Sequence, residues 1–176
     1  MNYFNLKGLN VLVTGAGGYL GSAISIGLAE YGAKVFLNGR DKKKLLKLKK
    51  KLNKAKLKSE IALFDIENFQ EVKKFFIKRK KLDILVNNAY HGKTGTFENS
   101  NLDNYKDSMN INIVSLVNLV NKSLPLLKKS KNPNIINISS MYGSIIPDPN
   151  LYRNTGLNNP PHYGVTKAAL EHYSKY

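Results

Sequence analysis

Short apolar runs alternate with longer stretches of helical periodicity along the whole chain. Runs this short and continuously apolar are typical of strands buried on both faces of a sheet. Strands are predicted at 10–14, 33–37, 60–64, 83–87 and 134–138. Helices are predicted at 18–31, 42–58, 68–80, 102–129 (interrupted or bent near Pro125) and from about 162 to the end. This alternation predicts an α/β fold, a doubly wound parallel sheet of the Rossmann type with five strands.

Three of the predicted helices have a clear inward face, because their apolar residues recur at helical spacing. The inward residues are Ile24, Leu28 and Tyr31 in the first helix, Leu45, Leu48 and Leu52 in the second, and Val72, Phe75 and Phe76 in the third.

The last predicted helix runs to Tyr176 without a C-cap glycine or a following turn signal. It leaves the apolar fifth strand at a sheet edge, where an uncovered strand invites aggregation. We therefore expect residues 1–176 to form a single Rossmann domain that is incomplete at its C-terminus, with its C-terminal strands missing.

Composition excludes several classes of protein. A 42% hydrophobic content over 176 residues is too high for a disordered or fibrous chain. The absence of cysteine excludes disulfides and thiolate metal ligands, and we predict no metal site. The N-terminal residues do not resemble a secretory leader, and no apolar run approaches bilayer-spanning length. A cytoplasmic protein without a membrane partner is predicted.

The net charge of +16 raises the question of a nucleic-acid partner. The densest run of lysines, residues 42–58, is interleaved with leucines at helical spacing, which indicates the solvated face of an amphipathic helix. We therefore predict no nucleic-acid partner, although a phosphorylated ligand would benefit from the charge.

A glycine-rich segment, Thr14-Gly-Ala-Gly-Gly-Tyr-Leu-Gly21, joins the first strand to the first helix. Such a turn needs backbone conformations and close approaches that glycine allows, and the helix N-terminus beyond it attracts a pyrophosphate. The strand–turn–helix context favours a dinucleotide site over a tight turn without a ligand. The predicted cofactor contacts of this segment are Thr14, Gly15, Gly18, Tyr19, Leu20 and Gly21.

The second strand leads into Asn38-Gly39-Arg40, without the acidic residue that would bind the ribose hydroxyls of NAD. The Arg40 guanidinium could instead pair with a 2′-phosphate, which favours NADP(H) over NAD(H). The alternative is that Arg40 is a surface residue at the start of the basic helix.

Tyr163 and Lys167 are four residues apart at the start of the last helix, so they share one face. A phenol has an ordinary pKa of about 10, and a nearby cation favours its phenolate, which suits general acid–base catalysis near neutral pH. The pair alone is equally compatible with an amphipathic helix carrying a surface tyrosine and lysine.

The glycine turn, Asn87-Asn88-Ala89, Asn112, Ser139-Ser140 and Tyr163-x-x-x-Lys167 stand in an order that resembles the short-chain dehydrogenase/reductase family over essentially the whole chain. The resemblance implies an NAD(P)-binding domain in which Tyr163 donates or accepts the proton. Lys167 would lower the pKa of that phenol and hold the nicotinamide ribose, and Ser140 would polarise the carbonyl. Asn112 would support a proton relay. Further cofactor contacts are implied at Asp65, Ile66, Asn87, Asn88 and Ala89.

Three features depart from the usual family pattern. Tyr19 occupies a classical glycine position, as in the extended subgroup, and Tyr90 replaces the glycine after Asn-Asn-Ala, which would narrow the mouth of the groove. The loop 141–161 is long and rich in proline, and we expect it to shape substrate specificity. This loop and the start of the last helix resemble bacterial members from flagellin-modification and nonulosonic-sugar pathways.

The leading hypothesis is an NAD(P)(H)-dependent oxidoreductase that interconverts a small-molecule carbonyl and alcohol, with a sugar-derived compound as the candidate substrate. The resemblance also implies a homodimer or tetramer for the full-length parent. The alternatives are a nucleotide-sugar epimerase or dehydratase of the extended type, against which Asn-Asn-Ala speaks, and an inactive cofactor-binding fragment.

Overall fold

The computed structural model describes residues 5–155 and 159–176, and it contains five strands and six α-helices. The strands are β1 (Asn10–Val13), β2 (Lys34–Gly39), β3 (Ser59–Leu63), β4 (Ile84–Asn87) and β5 (Asn134–Asn137). The helices are α1 (Tyr19–Glu30), α2 (Lys42–Lys54), α3 (Phe69–Ile77), α4 (Leu102–Met109), α5 (Ser115–Leu127) and α6 (Pro161–Tyr173). Within those ranges, no helix is both long and apolar enough to cross a lipid bilayer.

The chain divides into two compact units. The first comprises Met1–Ala89 with Val117–Ile136 and holds β1–β4, α1–α3 and most of α5 and β5. The second comprises Tyr90–Leu116 with Asn137–Tyr176 and holds α4 and α6. A single domain over residues 1–176 therefore stays a prediction.

The sheet of the first unit has the strand order β3-β2-β1-β4-β5. β1 pairs in parallel with β2 on one side and with β4 on the other, and β2 pairs in parallel with β3. The chain thus winds outward from β1 in both directions, which confirms the doubly wound prediction. The carboxyl ends of β1 and β4 meet at the point where the winding reverses, and this is where such sheets bind ligands.

The core of the first unit lies on the central strands. Val11, Leu12 and Val13 of β1 are fully buried, as expected for parallel strands covered on both faces. Each such side chain contributes roughly 1.5–3 kcal/mol by leaving water. β5, by contrast, lies at the edge of the sheet, and its Ile135 and Ile136 are 38% and 42% exposed, respectively.

The inward faces of α2 and α3 are those predicted, with Leu45, Leu48 and Leu52, and with Val72, Phe75 and Phe76, all buried. The prediction for α1 was wrong at Tyr31, whereas the predicted Ile24 and Leu28 are half-buried. The buried residues of α1 are Gly21, Ser25 and Ala29, whereas Tyr31 is exposed. Small residues allow a helix backbone to approach its neighbours closely, and this requirement is invisible to a count of large apolar residues.

The predicted helix 102–129 is broken earlier than expected. A π-helical turn, Asn110–Val114, separates α4 from α5, whereas Pro125 lies inside α5 two residues before its end. Proline forgoes a single backbone hydrogen bond close to a helix end, so α5 accommodates it. A π turn inside a helix is frequently found at a functional site, and this one carries Asn112.

Candidate active site

The predicted glycine turn connects β1 to α1 in the first unit. Gly15 has a φ of +63°, a conformation that favours glycine, and a Cβ there would lie 3.0 Å from the Ala89 Cα. A Cβ on Gly21 would overlap the Gly15 carbonyl oxygen. Gly18 caps α1 without a side-chain hydrogen bond. The backbone of the turn is therefore free of side chains at these glycines and leads directly into the N-terminus of α1. An exposed backbone next to a helix N-terminus suits the binding of a pyrophosphate.

Thr14 and Asn88 tie the carboxyl ends of β1 and β4 together. The buried Thr14 hydroxyl accepts hydrogen bonds from the backbone amides of Asn88, at 3.0 Å, and Ala89, at 2.9 Å. The Asn88 side-chain amide donates to the Thr14 carbonyl at 2.8 Å. Both residues thus shape the turn that was predicted to contact the cofactor.

Asn38 supports the same edge of the sheet, and sequence reasoning did not include it among the site residues. Its buried side-chain amide donates to the backbone carbonyl oxygens of Ala62 and Phe64, both at 3.0 Å. The backbone carbonyl of Asn38 accepts a hydrogen bond from the backbone amide of Ala16. A polar residue within the apolar strand β2 was the available signal.

Arg40, the predicted 2′-phosphate ligand, lies beside carboxylates. Its guanidinium is 3.5 Å from Asp65 and 3.8 Å from Glu67, and its side chain is 55% exposed. Exposed ion pairs of this kind contribute little, about 0–1 kcal/mol, so an anionic ligand could displace them. The structure brings together Arg40 and Asp65, both predicted at the cofactor site.

The other predicted cofactor contacts of the first unit differ in accessibility. Tyr19 and Leu20 are 98% and 50% exposed in the first turn of α1. Asn87 is buried at the end of β4, and Ala89 is half-buried. The Ile66 side chain is buried in the core, so any contact it made with a cofactor would come from its backbone.

Tyr163 and Lys167 lie one turn apart on α6, in the second unit. The Lys167 ammonium is 5.7 Å from the centre of the Tyr163 ring and donates a hydrogen bond to the Ile138 carbonyl at 2.6 Å. Lys167 is only 7% exposed, and this burial lowers the pKa of its ammonium below its usual range. The helix thus holds a desolvated cation beside the phenol ring.

Ser140 begins a 3₁₀ turn, Met141–Gly143, and its hydroxyl accepts a hydrogen bond from the Tyr142 amide at 3.2 Å. Glu171 of α6 joins the segment around Ser140 to the helix. Its carboxylate accepts from the hydroxyls of Ser139, at 2.8 Å, and Ser144, at 2.9 Å. Sequence reasoning did not single out Glu171, although it lies one turn beyond Lys167 on the same helix face.

Asn112 is buried in the π turn, and its side chain makes two hydrogen bonds to the backbone of His91. Its side-chain oxygen accepts from the His91 amide at 3.4 Å, and its side-chain amide donates to the His91 carbonyl at 3.3 Å. The predicted relay residue therefore fixes the segment that follows Tyr90.

A buried histidine, His162, precedes Tyr163 at the start of α6, and sequence reasoning missed it. Its Nδ1 shares a 2.8 Å hydrogen bond with the buried Ser108 hydroxyl, and the Tyr105 ring contacts it edge-on. Its Nε2 is buried without a hydrogen-bond partner among the described residues. Burial lowers the pKa of the imidazole.

Comparison with known proteins identifies the family. A family model described as short chain dehydrogenase matches residues 9–176. The chain belongs to the short-chain dehydrogenase/reductase family. The predicted family membership is confirmed on this match, which spans the glycine turn and the Tyr163 helix alike.

Among curated relatives of this family member, a rhamnolipid-biosynthesis 3-oxoacyl-[acyl-carrier-protein] reductase of Pseudomonas aeruginosa is 31% identical over 186 residues. The alignment covers 98% of the chain and 67% of that reductase. An uncharacterised oxidoreductase of Staphylococcus aureus is 31% identical over 136 residues, covering 75% of the chain and 58% of that protein. The short-chain dehydrogenase/reductase chain thus spans about three fifths to two thirds of the length of these relatives.

Solved structures confirm the predicted Rossmann fold. The Pseudomonas aeruginosa RhlG/NADP complex matches with a TM-score of 0.85 at 27% identity, covering 99% of the chain and 68% of RhlG. A Burkholderia cenocepacia gluconate 5-dehydrogenase, in complex with NADP and tartrate, matches with a TM-score of 0.80 at 26% identity. That match covers 98% of the chain and 65% of the dehydrogenase.

Proposed function

We propose that this chain carries the cofactor-binding and catalytic residues of an NAD(P)(H)-dependent oxidoreductase that interconverts a carbonyl and an alcohol by hydride transfer. The observation that carries the proposal is the buried Lys167 ammonium beside the Tyr163 ring on α6, near the end of β5. A phenol next to a desolvated cation is a group suited to proton transfer.

In this proposal, Tyr163 is the general acid in the reducing direction. Its hydroxyl gives a proton to the carbonyl oxygen as the carbonyl carbon accepts a hydride, and it takes the proton back in the oxidising direction. Ser140 donates a hydrogen bond to that oxygen, and Asn112 supports the supply of protons. Bound nicotinamide supplies or accepts the hydride.

The residues of the glycine turn fit a dinucleotide. The backbone cradle at Gly15, Gly18 and Gly21 takes the pyrophosphate at the N-terminus of α1, and Lys167 holds the nicotinamide ribose. Thr14 and Asn88 keep the turn in shape through the three hydrogen bonds described above. Asp65 and Ile66 take the adenine end, and Tyr19, Leu20, Asn87 and Ala89 line the groove.

We infer a preference for NADP(H). Arg40 is exposed and makes weak ion pairs with Asp65 and Glu67, so its guanidinium is available to a 2′-phosphate. Two relatives of known structure, the RhlG and gluconate 5-dehydrogenase complexes, contain NADP, which supports this preference.

A small, hydroxylated carbonyl compound is the substrate class we favour. Gluconate 5-dehydrogenase is named for a sugar acid, which supports a sugar-derived substrate. The 3-oxoacyl-[acyl-carrier-protein] reductase is named for a different carbonyl, the 3-oxo group of an acyl chain. The resemblance to flagellin-modification and nonulosonic-sugar enzymes gains no support from these names and stays a hypothesis, as do a cytoplasmic location and a homodimeric or tetrameric assembly.

The epimerase or dehydratase alternative rests on Tyr19, which has the extended-type position in the turn and is 98% exposed. Such an enzyme would retain NAD tightly through purification and show no net cofactor turnover. An inactive cofactor-binding fragment would bind NADP(H) and turn over nothing.

Replacing the tyrosine hydroxyl tests the proposal. We expect Tyr163→Phe to lower kcat by about 10²–10⁴-fold, the usual contribution of general acid–base catalysis. The Kd for NADPH should change less than about threefold, because the ring and Lys167 remain. Turnover would be followed by NADPH absorbance with a panel of keto-sugar acids and 3-oxoacyl thioesters.

Tyr173→Phe is the matched control, since Tyr173 lies near the end of the same helix. It should leave both kcat and the Kd unchanged. Full activity in Tyr163→Phe would refute the assignment of the proton-transfer residue.

A further inference from the structure

Tyr90, which the sequence indicated only as a residue that narrows the groove, lies against both of the central residues of the proposed site. Its ring meets the Tyr163 ring edge-on, with centres 5.1 Å apart and planes at 89°. The Lys167 ammonium is 5.5 Å from the centre of the Tyr90 ring. All three residues belong to the second unit.

The Lys167 ammonium is therefore enclosed by two aromatic rings and a carbonyl. Both ring centres are within the distance of about 6 Å at which a cation is attracted to an aromatic face. The Ile138 carbonyl accepts one of its three hydrogens. Removing one ring would leave the cation with a single aromatic neighbour and more access to water.

The Tyr90 ring is itself held in place from its C-terminal side. Asn112 makes two hydrogen bonds to the backbone of the next residue, His91. Gly92 has no side chain, and a Cβ there would overlap the Tyr90 hydroxyl and lie 2.8 Å from the ring carbon that bears it. The segment thus requires a residue without a side chain at position 92 for Tyr90 to occupy this place.

We propose that Tyr90 is a positioning residue whose aromatic ring holds Lys167 and Tyr163 in their working arrangement. This inference rests on the proposed function for its effect on catalysis. Burial, and then the adjacent Tyr163 phenol, raise the pKa of Tyr90 to about 12, so its hydroxyl stays protonated at neutral pH. It is the ring, and not proton transfer by Tyr90, that contributes.

Two substitutions distinguish the effect of the aromatic face of Tyr90 from the effect of its side-chain bulk. Tyr90→Phe keeps the aromatic face and should retain kcat within about twofold. Tyr90→Leu keeps an apolar side chain without the face and should lower kcat about tenfold, with a smaller change in the KM for the carbonyl substrate. Equal losses in Tyr90→Phe and Tyr90→Leu would overturn the proposal.

Gly92→Ala displaces the ring without removing it. We expect this variant to lower kcat in the same direction as Tyr90→Leu. In the double variant Tyr90→Leu with Gly92→Ala, the second substitution should lower kcat little further, because the effects of substitutions at contacting residues do not simply add. Full additivity would show that Gly92→Ala acts by another route and would count against the proposed placement of the ring.

A spectroscopic measurement keeps the inference separate from the proposed function. In a chain labelled with [¹³C]lysine, the Lys167 signal is identified by its loss in Lys167→Arg and then titrated. In Tyr90→Leu the pKa of Lys167 should shift from its native value, because the ammonium loses an aromatic face that stabilises it and packing that shields it from water. In Tyr90→Phe it should stay at the native value.

Tyr105→Leu is the matched control, because the Tyr105 ring makes its edge-on contact with His162 rather than with Lys167. It should not move the Lys167 signal. If the native chain shows no turnover, the proposed function fails and the titration alone decides on Tyr90. An unchanged Lys167 signal in Tyr90→Leu would overturn the positioning role.

Discussion

At the scale of single residues, we propose that Arg40 decides the choice between the two nicotinamide cofactors. We expect Arg40→Ala to weaken NADPH binding about tenfold or more, because a charge-assisted hydrogen bond contributes roughly 1.5–3 kcal/mol. NADH binding should be unchanged, since NADH lacks the 2′-phosphate. Isothermal titration with both cofactors measures the two dissociation constants.

Lys47→Ala is the control for this loss of charge, because Lys47 lies on the neighbouring helix α2. It should weaken binding of the two cofactors equally and slightly. Glu67→Gln, which removes a carboxylate 3.8 Å from the guanidinium, should leave NADPH binding intact or strengthen it. Equal losses for NADPH and NADH in Arg40→Ala would assign Arg40 to the surface instead.

At the scale of elements, Glu171 joins α6 to the segment that holds Ser140. Glu171→Ala should lower the free energy of unfolding by about 1–2 kcal/mol, a value reduced for the exposed Ser144 bond. It should also lower kcat several-fold, because Ser140 loses its fixed relation to Tyr163. Chemical denaturation and steady-state kinetics measure the two effects.

Glu171→Gln should recover most of the loss, since an amide oxygen still accepts one serine hydroxyl and the amide nitrogen can donate to the other. Glu98→Ala, at an exposed position of the same unit, should change neither quantity. Failure of Glu171→Gln to rescue kcat while it rescues stability would separate the two roles.

At the scale of the whole molecule, His162 makes stability depend on pH. Burial lowers the pKa of His162 in the folded state, whereas the unfolded chain has a pKa of about 6.5. Below pH 6.5 the unfolded state therefore binds more protons than the folded state. As the pH is lowered, the free energy of unfolding decreases, and it levels off once the pH is below the pKa of the folded state.

We expect His162→Gln to flatten this part of the stability profile below about pH 6.5, measured by urea denaturation. His172→Gln, on the same helix, should retain the native slope. The ionic strength is held constant, because a net charge of +16 repels itself and salt screens that repulsion. An unchanged slope in His162→Gln would assign the acid sensitivity to other groups.

Much of the architecture could be predicted from local pattern. The doubly wound parallel sheet follows from strand–helix alternation and the right-handed crossover, and the inward faces of α2 and α3 follow from helical spacing. The conformation at Gly15 follows from the strand–turn–helix context, where a positive φ favours glycine. The break before α5 and the small-residue face of α1 did not follow, because both depend on how closely distant segments approach.

The sequence by itself determined the family, the five-stranded parallel fold and the residues nominated for chemistry, because periodicity and motif order are properties of the chain. Only the tertiary structure decided which partners those residues meet. Tyr90 and Tyr163 are far apart along the chain, yet their rings meet edge-on, and Glu171 accepts from two serines that flank Ser140. Such contacts are set by packing between segments whose separation no sequence spacing encodes.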